Sequence, residues 1–301
     1  MSFKVQVGPP QIAIHQGQTV LVTGLDGQIT WPSEKGLYFL DTRIISNWAI
    51  YANGEPWELL NGGPITYYSA RIFLTNKSIL TEDGPIPPRT LGLTISRSIS
   101  GGLHEDLEIT NNSREPVRFQ LEIAFRSDFA DIFEVKSGHI VRRGQITTEW
   151  SERRQRLRTA YSNRDFHRAV TTLVVQAPRK AVYANGRLSF EVAIQPNKAW
   201  HACLLYELED GEQHFHAPHH CVGTGHNPRH SGAMSRWLKS VAKIETSNEE
   251  FYRLFRQWRT WRRSVCLSEE RTTRSLYLLR DCRGSSHRLA AIACSFRCRI
   301  S

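Results

Sequence analysis

Along residues 1 to about 230, apolar side chains alternate with polar ones instead of recurring every third or fourth position. The clearest stretch runs from Val117 to Phe125, where Val117, Phe119, Leu121, Ile123 and Phe125 share one face and mostly polar residues the other. A period of two is what a half-buried β-strand requires. Leu188, Phe190, Val192 and Ile194 alternate in the same way, as do Leu91, Leu93 and Ile95. Thr172-Leu173-Val174-Val175 and Cys203-Leu204-Leu205-Tyr206 are short apolar runs of the kind that form fully buried strands.

Turn chemistry separates these runs. Asn53-Gly54 follows Trp48-Ala49-Ile50-Tyr51, and Asn185-Gly186 precedes Leu188. An Asn-Gly pair supplies the positive φ angles of a tight hairpin. Asn111 to Pro116 is a strand-loop-strand connection, and Asp26-Gly27 and Asp83-Gly84-Pro85 mark further turns. Many short strands with regular turns, and no helical pattern between them, predict an antiparallel β-sandwich. Past residue 230 the pattern changes. Ser247-Asn248-Glu249-Glu250 reads as a capping box, with Phe251, Leu254 and Phe255 following at helical spacing. The expected organisation is a β-sandwich over 1–235, a linker and helix start over 236–257, and an irregular basic tail over 258–301.

Charge sharpens that division. The net charge of +10 suggests a polyanion partner at first sight. From Phe251 onward, however, there are 12 arginines, no lysine and three acids, whereas residues 1–250 are almost neutral. The basicity belongs to the tail, so no specific nucleic-acid partner is expected. Cys266, Cys282, Cys294 and Cys298 crowd the same tail at spacings that match no zinc motif, leaving Cys203 and Cys221 in the body. No run of about 18 apolar residues is present, and the N-terminus lacks the basic-then-apolar pattern of a signal peptide. The expectation is a cytoplasmic protein with no membrane partner.

Candidate chemistry is sparse. His214, His216, His219, His220, Cys221, His226 and His230 form the densest group, with His214 and His216 on one face if the segment is a strand. Pro218, Gly223, Gly225 and Pro228 favour a surface loop over a metal site. Asp128, Asp131 and Glu134 offer the carboxylates that glycoside hydrolysis uses in pairs. Catalytic pairs must flank a sugar and usually come from different elements, so turn caps and ion pairs are the favoured roles. Trp31, Trp48, Trp57, Tyr67 and Tyr68 could stack on sugars, but core packing is the commoner use of such residues. No phosphate loop, dinucleotide fingerprint or nucleophile elbow occurs, and no cofactor is expected.

Two stretches carry a resemblance. Gly36-Leu37-Tyr38-Phe39-Leu40-Asp41-Thr42-Arg43-Ile44-Ile45-Ser46, followed by Asn53-Gly54 and Leu59-Leu60, resembles the opening of the N-terminal domain in bacterial and archaeal glycogen debranching proteins. Leu107-Glu108-Ile109-Thr110-Asn111 and the segment from Ser127 to Val135 (SDFADIFEV) are similar to two further motifs of that domain. The likeness covers about residues 10–256, and its motif positions are Asp41, Thr42, Arg43, Asp128, Asp131 and Glu134. It implies a β-sandwich that precedes a helical barrel carrying the α-1,6-glucosidase carboxylates. Those catalytic positions have no counterpart here. The resemblance therefore implies a non-catalytic chain, with α-glucan and a helical catalytic domain missing from this chain as its partners.

The likeness stops at Trp258. The Trp-, Arg-, Cys- and Ser-rich sequence beyond it has the composition of translation in a shifted reading frame. Reading the third base of each codon with the first two of the next, Leu279 to Ala293 allows AGLPWFV and then, after one mismatch, FGRDSL. That resembles the start of the family's catalytic domain, so 258–301 is expected to fold poorly.

Overall fold

The structure is a computed structural model, and it describes residues 10–141, 143–164, 166–218, 221, 239 and 246–255. The tail over 258–301 and most of the linker lie outside the described residues.

Every described strand pairing is antiparallel, as the alternating pattern predicts. One layer is a nine-stranded sheet. Its path runs Gln145–Ser151, Arg156–Asn163, Phe166–Gln176, Ala199–Asp210, Gly102–Asn111, Leu91–Ser100, Ser69–Thr75 and Glu58–Thr66, with Gln213–Phe215 added against Ala199–Asp210. The opposing layer consists of two five-stranded sheets. The first orders Gln11–Gln16, Thr19–Gly24, Gly36–Phe39, Thr42–Ile45 and Ala130–Asp131. The second orders Val182–Ala184, Arg187–Ile194, Val117–Arg126, Asn47–Ala52 and Glu55–Pro56. A bridge between Ile29 and Trp48 links the connection between Thr19–Gly24 and Gly36–Phe39, within the first sheet, to the second. Ile79–Thr81 and Gly84–Ile86 form a separate hairpin.

The core lies between the layers and is built from the inward half of each strand. Val117, Phe119, Leu121 and Ile123 are buried with Leu188, Phe190, Val192 and Ile194 opposite them in register. Burying each such side chain contributes roughly 1.5–3 kcal/mol, so a one-residue slip would turn the whole apolar set towards water. Both Asn-Gly turns adopt the left-handed geometry predicted, with φ of 46° and 80° at Asn53 and Gly54 and of 51° and 75° at Asn185 and Gly186.

Two expectations are corrected. Cys203 to Tyr206 is buried on both faces, but the Thr172–Val175 run is not, and Val175 is 43% exposed. Here Phe166–Gln176 breaks register with its neighbour between Val174 and Gln176, and its end leaves the core. The Asn111–Pro116 segment is the strand-loop-strand connection expected. It carries the chain from the nine-stranded sheet into the second five-stranded sheet, with Asn111 Nδ2 donating to Glu115 O at 2.8 Å and to Ile194 O at 3.2 Å. The C-terminal helix covers 249–255 and is capped by Asn248, not Ser247. Asn248 Oδ1 accepts from Phe251 N at 2.9 Å, because the helix starts one residue later than the serine-based box requires.

A buried ion pair joins two adjacent strands of the nine-stranded sheet on its core side. Arg97 Nε donates to Glu105 Oε2 at 2.6 Å, and both side chains are almost fully inaccessible. Removing one partner leaves an uncompensated charge in the core. Glu105→Leu alone is expected to lower the unfolding free energy by about 3–5 kcal/mol. The double variant Arg97→Met/Glu105→Leu should recover much of that loss. Urea unfolding of the two singles and the double forms the cycle that checks this, and fully additive losses would contradict it.

Candidate functional site

The two motif stretches meet. Residues Thr42 to Ile45 form a strand because Gly36 lets the neighbouring strand pass close by. A Cβ at Gly36 would lie 2.6 Å from Arg43 Cδ and 2.9 Å from Ile45 O. Ala130–Asp131 pairs with this strand, placing Ala130 opposite Arg43 and Asp131 opposite Thr42. In this way residues almost ninety positions apart become neighbours.

Arg43 is the hub. Its guanidinium is buried, donating from NH2 to Asp128 Oδ2 at 2.5 Å, from Nε to Asp128 Oδ1 at 3.3 Å and from NH1 to Ser33 O at 2.6 Å. This two-pronged geometry suits arginine and not lysine. Its far face lies 5.3 Å from the ring of Trp31, which is 53% exposed. Asp131 caps the short helix Ile132–Ser137, accepting from Phe133 N at 2.7 Å, while Glu134 Oε2 accepts from Asp131 N at 3.1 Å. Glu134 Oε1 also sits 3.0 Å from the Arg143 guanidinium. Each of the three acids singled out from the sequence is thus engaged in a turn or an ion pair.

Arg168 completes the arrangement, and no local sequence signal marks it. Arriving from Phe166–Gln176, it donates to Asp41 Oδ1 at 2.8 Å, to the Thr42 hydroxyl and to Asp210 Oδ1 at 3.1 Å. Burial would raise the Asp41 carboxyl above its ordinary value, but the hydrogen bond and charge of Arg168 outweigh it and hold Asp41 below that value. Between these groups opens a hollow of about 210 Å³, lined by Asp41, Asp131, Glu134, Arg143, Tyr161 and Phe166 among others. Two residues of the motifs, Leu40 (φ 57°) and Phe129 (φ 51°), hold the left-handed conformation. For non-glycine residues this is unfavourable by roughly 1–2 kcal/mol. Phe129 is held there by stacking on Tyr161, with ring centroids 5.6 Å apart.

The chain matches, over residues 14–205, the family described as the N-terminal domain of some glycogen debranching enzymes. It belongs to that family. The matched span includes all the motif positions. No curated protein matches the chain. Among solved structures, it is similar to a protein described as a kojibiose phosphorylase from the human microbiome, at 11% identity and a TM-score of 0.46. The match covers 81% of this chain and 35% of that one, so the chain spans about a third of it. It is also similar to a galactose mutarotase-like protein from Clostridium acetobutylicum, at 7% identity and a TM-score of 0.35, covering 66% of this chain and 94% of that one. An aldose epimerase homologue from C. elegans matches at 9% identity and a TM-score of 0.33, covering 67% and 99%.

The other sequence candidates separate. Trp48, Trp57 and Tyr68 are core residues, and Tyr67 is half-buried beside Tyr68. His214 and His216 do share a side, their rings 6.5 Å apart, but His216 Nδ1 bonds Glu207 Oε1 at 2.8 Å. His219, His220, His226 and His230 lie outside the described residues. Cys221 packs instead near His104, Asp106 and Cys203. No helix among the described residues is long and apolar enough to cross a membrane.

The Asp41–Arg168 pair sets a pH dependence with a definite sign. A carboxyl whose folded pKa is depressed adds stability above its unfolded value, near pH 4. That stability is lost as pH falls through the folded value. Asp41→Asn should therefore flatten the fall in stability below about pH 4, and thermal unfolding across the acid range measures it. An unchanged slope in Asp41→Asn would count against the pairing.

Proposed function

We propose that this chain acts as the non-catalytic N-terminal domain of a glycogen debranching-type protein of carbohydrate metabolism, packing on an α-1,6-glucosidase barrel supplied by another segment or chain. The observation that carries the reading is the family match over 14–205. The engagement of the motif acids supports it. Asp128, Asp131 and Glu134 hold a guanidinium, a helix start and a turn, and hydrolysis needs two carboxyls free to face a sugar from either side.

A surface suited to a partner domain is present. Leu59 (40% exposed), Leu60 (64%) and Ile65 (50%) lie on the edge strand Glu58–Thr66, and Phe73 (41%) lies on the strand beside it. An exposed apolar edge of this kind is an association site or an aggregation hazard. A second reading, a stand-alone glucan-binding module, is favoured by Trp31 and Phe166, exposed aromatics near the motif hollow.

The deciding experiment mixes the chain with a separately produced α-1,6-glucosidase domain of a glycogen debranching enzyme and follows co-elution. Complex formation is expected, and Leu60→Glu with Phe73→Glu should weaken it by about tenfold or more. The chain alone should release no glucose from a branched limit dextrin. Release that Asp131→Asn abolishes would overturn the proposal. Absence of a complex, together with retention on a glycogen gel lost in Trp31→Ala, would favour the binding module.

A further inference from the structure

Strand alternation sorts two neighbouring strands into an inward and an outward half. On Gly102–Asn111, Leu103, Glu105, Leu107 and Ile109 are inward, and on Ala199–Asp210 so are Trp200, Ala202, Leu204 and Tyr206. The outward half holds His104 and Asp106 on one strand and His201 and Cys203 on the other. Register places Asp106 directly opposite Cys203. The chain beyond Gln213–Phe215 then folds back over this face. Ala217 packs on Cys203 and Leu205, Pro218 reaches His104, and Cys221 arrives beside Cys203.

Four ligand atoms of four residues converge: an imidazole nitrogen of His104, a carboxylate oxygen of Asp106 and the thiol sulfurs of Cys203 and Cys221, all within 4.8 Å of one another. His104 Nε2 is 3.2 Å from Cys203 Sγ and 3.2 Å from Asp106 Oδ2. In a tetrahedral site with zinc–ligand bonds of 2.0–2.3 Å, ligand atoms stand about 3.3–3.8 Å apart. The short separations already have that size, and the widest closes with a shift of about 1 Å.

The surroundings are also those of a metal site. The Pro218 carbonyl, 2.5 Å from His104 Nδ1, can only accept, so Nδ1 carries the proton and Nε2 is aimed at the cluster. His201 Nε2 lies 3.0 Å from Asp106 Oδ1, orienting the carboxylate and leaving Oδ2 to face inward. His104 and Cys203 are fully buried and Cys221 is at the surface, which gives an ion a way in.

We propose that His104, Asp106, Cys203 and Cys221 form a zinc site. Two thiolates with an imidazole and a carboxylate select Zn²⁺ over hard cations such as Mg²⁺ and Ca²⁺. Four protein ligands close the coordination sphere, so the role is structural. Binding displaces the two thiol protons and pins Cys221 to the outer face of the nine-stranded sheet.

Zinc content of the reduced full-length chain, freed of metal and reloaded with Zn²⁺, tests this beside the absorption spectrum with Co²⁺. The expected result is about one zinc per chain and a tetrahedral Co²⁺ spectrum with thiolate charge transfer. Cys221→Ser and His104→Gln should lose the metal, and His201→Ala should weaken it by about 10–100-fold. Replacing Cys266, Cys282, Cys294 and Cys298 by Ser should leave it bound. Should His104→Gln fail to fold, Cys221→Ser decides, since that side chain lies outside the main core. Three outcomes overturn the proposal: no zinc in the reduced chain, zinc retained in Cys221→Ser, or zinc lost only with the tail cysteines. A Cys203–Cys221 disulfide in a chain that takes no zinc when reduced is the form the first of these would take.

Discussion

The stacking of the layers depends on the buried pair of Arg97 and Glu105. Removing two charges from water costs several kcal/mol per ion, and the interior accepts them only when every polar atom finds a partner. Here the partners come from both layers. Glu105 Oε2 accepts from Arg97 Nε, and Oε1 accepts from the Tyr206 hydroxyl at 2.8 Å. Tyr206 in turn accepts from Trp48 Nε1 at 3.0 Å, across the sandwich. Arg97 NH1 donates to the Gly27 carbonyl, in the connection between Thr19–Gly24 and Gly36–Phe39 of the first five-stranded sheet, and its guanidinium lies 4.3 Å from the Trp48 ring. Burial first, and the Glu105 charge with it, push the Tyr206 hydroxyl well above its ordinary pKa, so it stays a donor. An apolar core would tolerate sliding of one layer over the other. This network has partners in one alignment only.

The Arg43 and Arg168 clusters repeat the principle nearer the surface. Arg43 joins the Gly36–Ser46 motif to the Ser127–Val135 motif, and Arg168 ties Asp41 and Thr42 to the nine-stranded sheet through Asp210. Together they brace the left-handed residues Leu40 and Phe129 and the rim of the hollow between the layers. Family motifs in this domain thus mark a joint between sheets.

The same two strands serve opposite purposes on their two sides. Glu105 and Tyr206 face the core network, while His104, Asp106 and Cys203 face the folded-back segment. A run such as Cys203 to Tyr206 is apolar throughout because both its faces are covered, one by the other layer and one by Ala217 and its neighbours. The exposed end at Val175 shows the contrast, because there the strand breaks register and leaves the core.

Period-two patterning determined the strands, their inward faces and the sandwich, because alternation is a local property that each strand carries by itself. Asn53-Gly54 and Asn185-Gly186 likewise fixed two hairpins through backbone conformations few other pairs accept. The motifs around Asp41 and Asp128 were legible as motifs, and turn caps and ion pairs were legible as the general roles of their acids, but the short helix that Asp131 caps was not. Tertiary structure alone decided what those residues touch. Nothing in the sequence near Arg168 points to Asp41, and nothing links Cys221 to His104 and Cys203, which lie in other strands. Such sites depend on long-range register, which is set by the sum of all inward-facing contacts across the sheet and by no short segment within it.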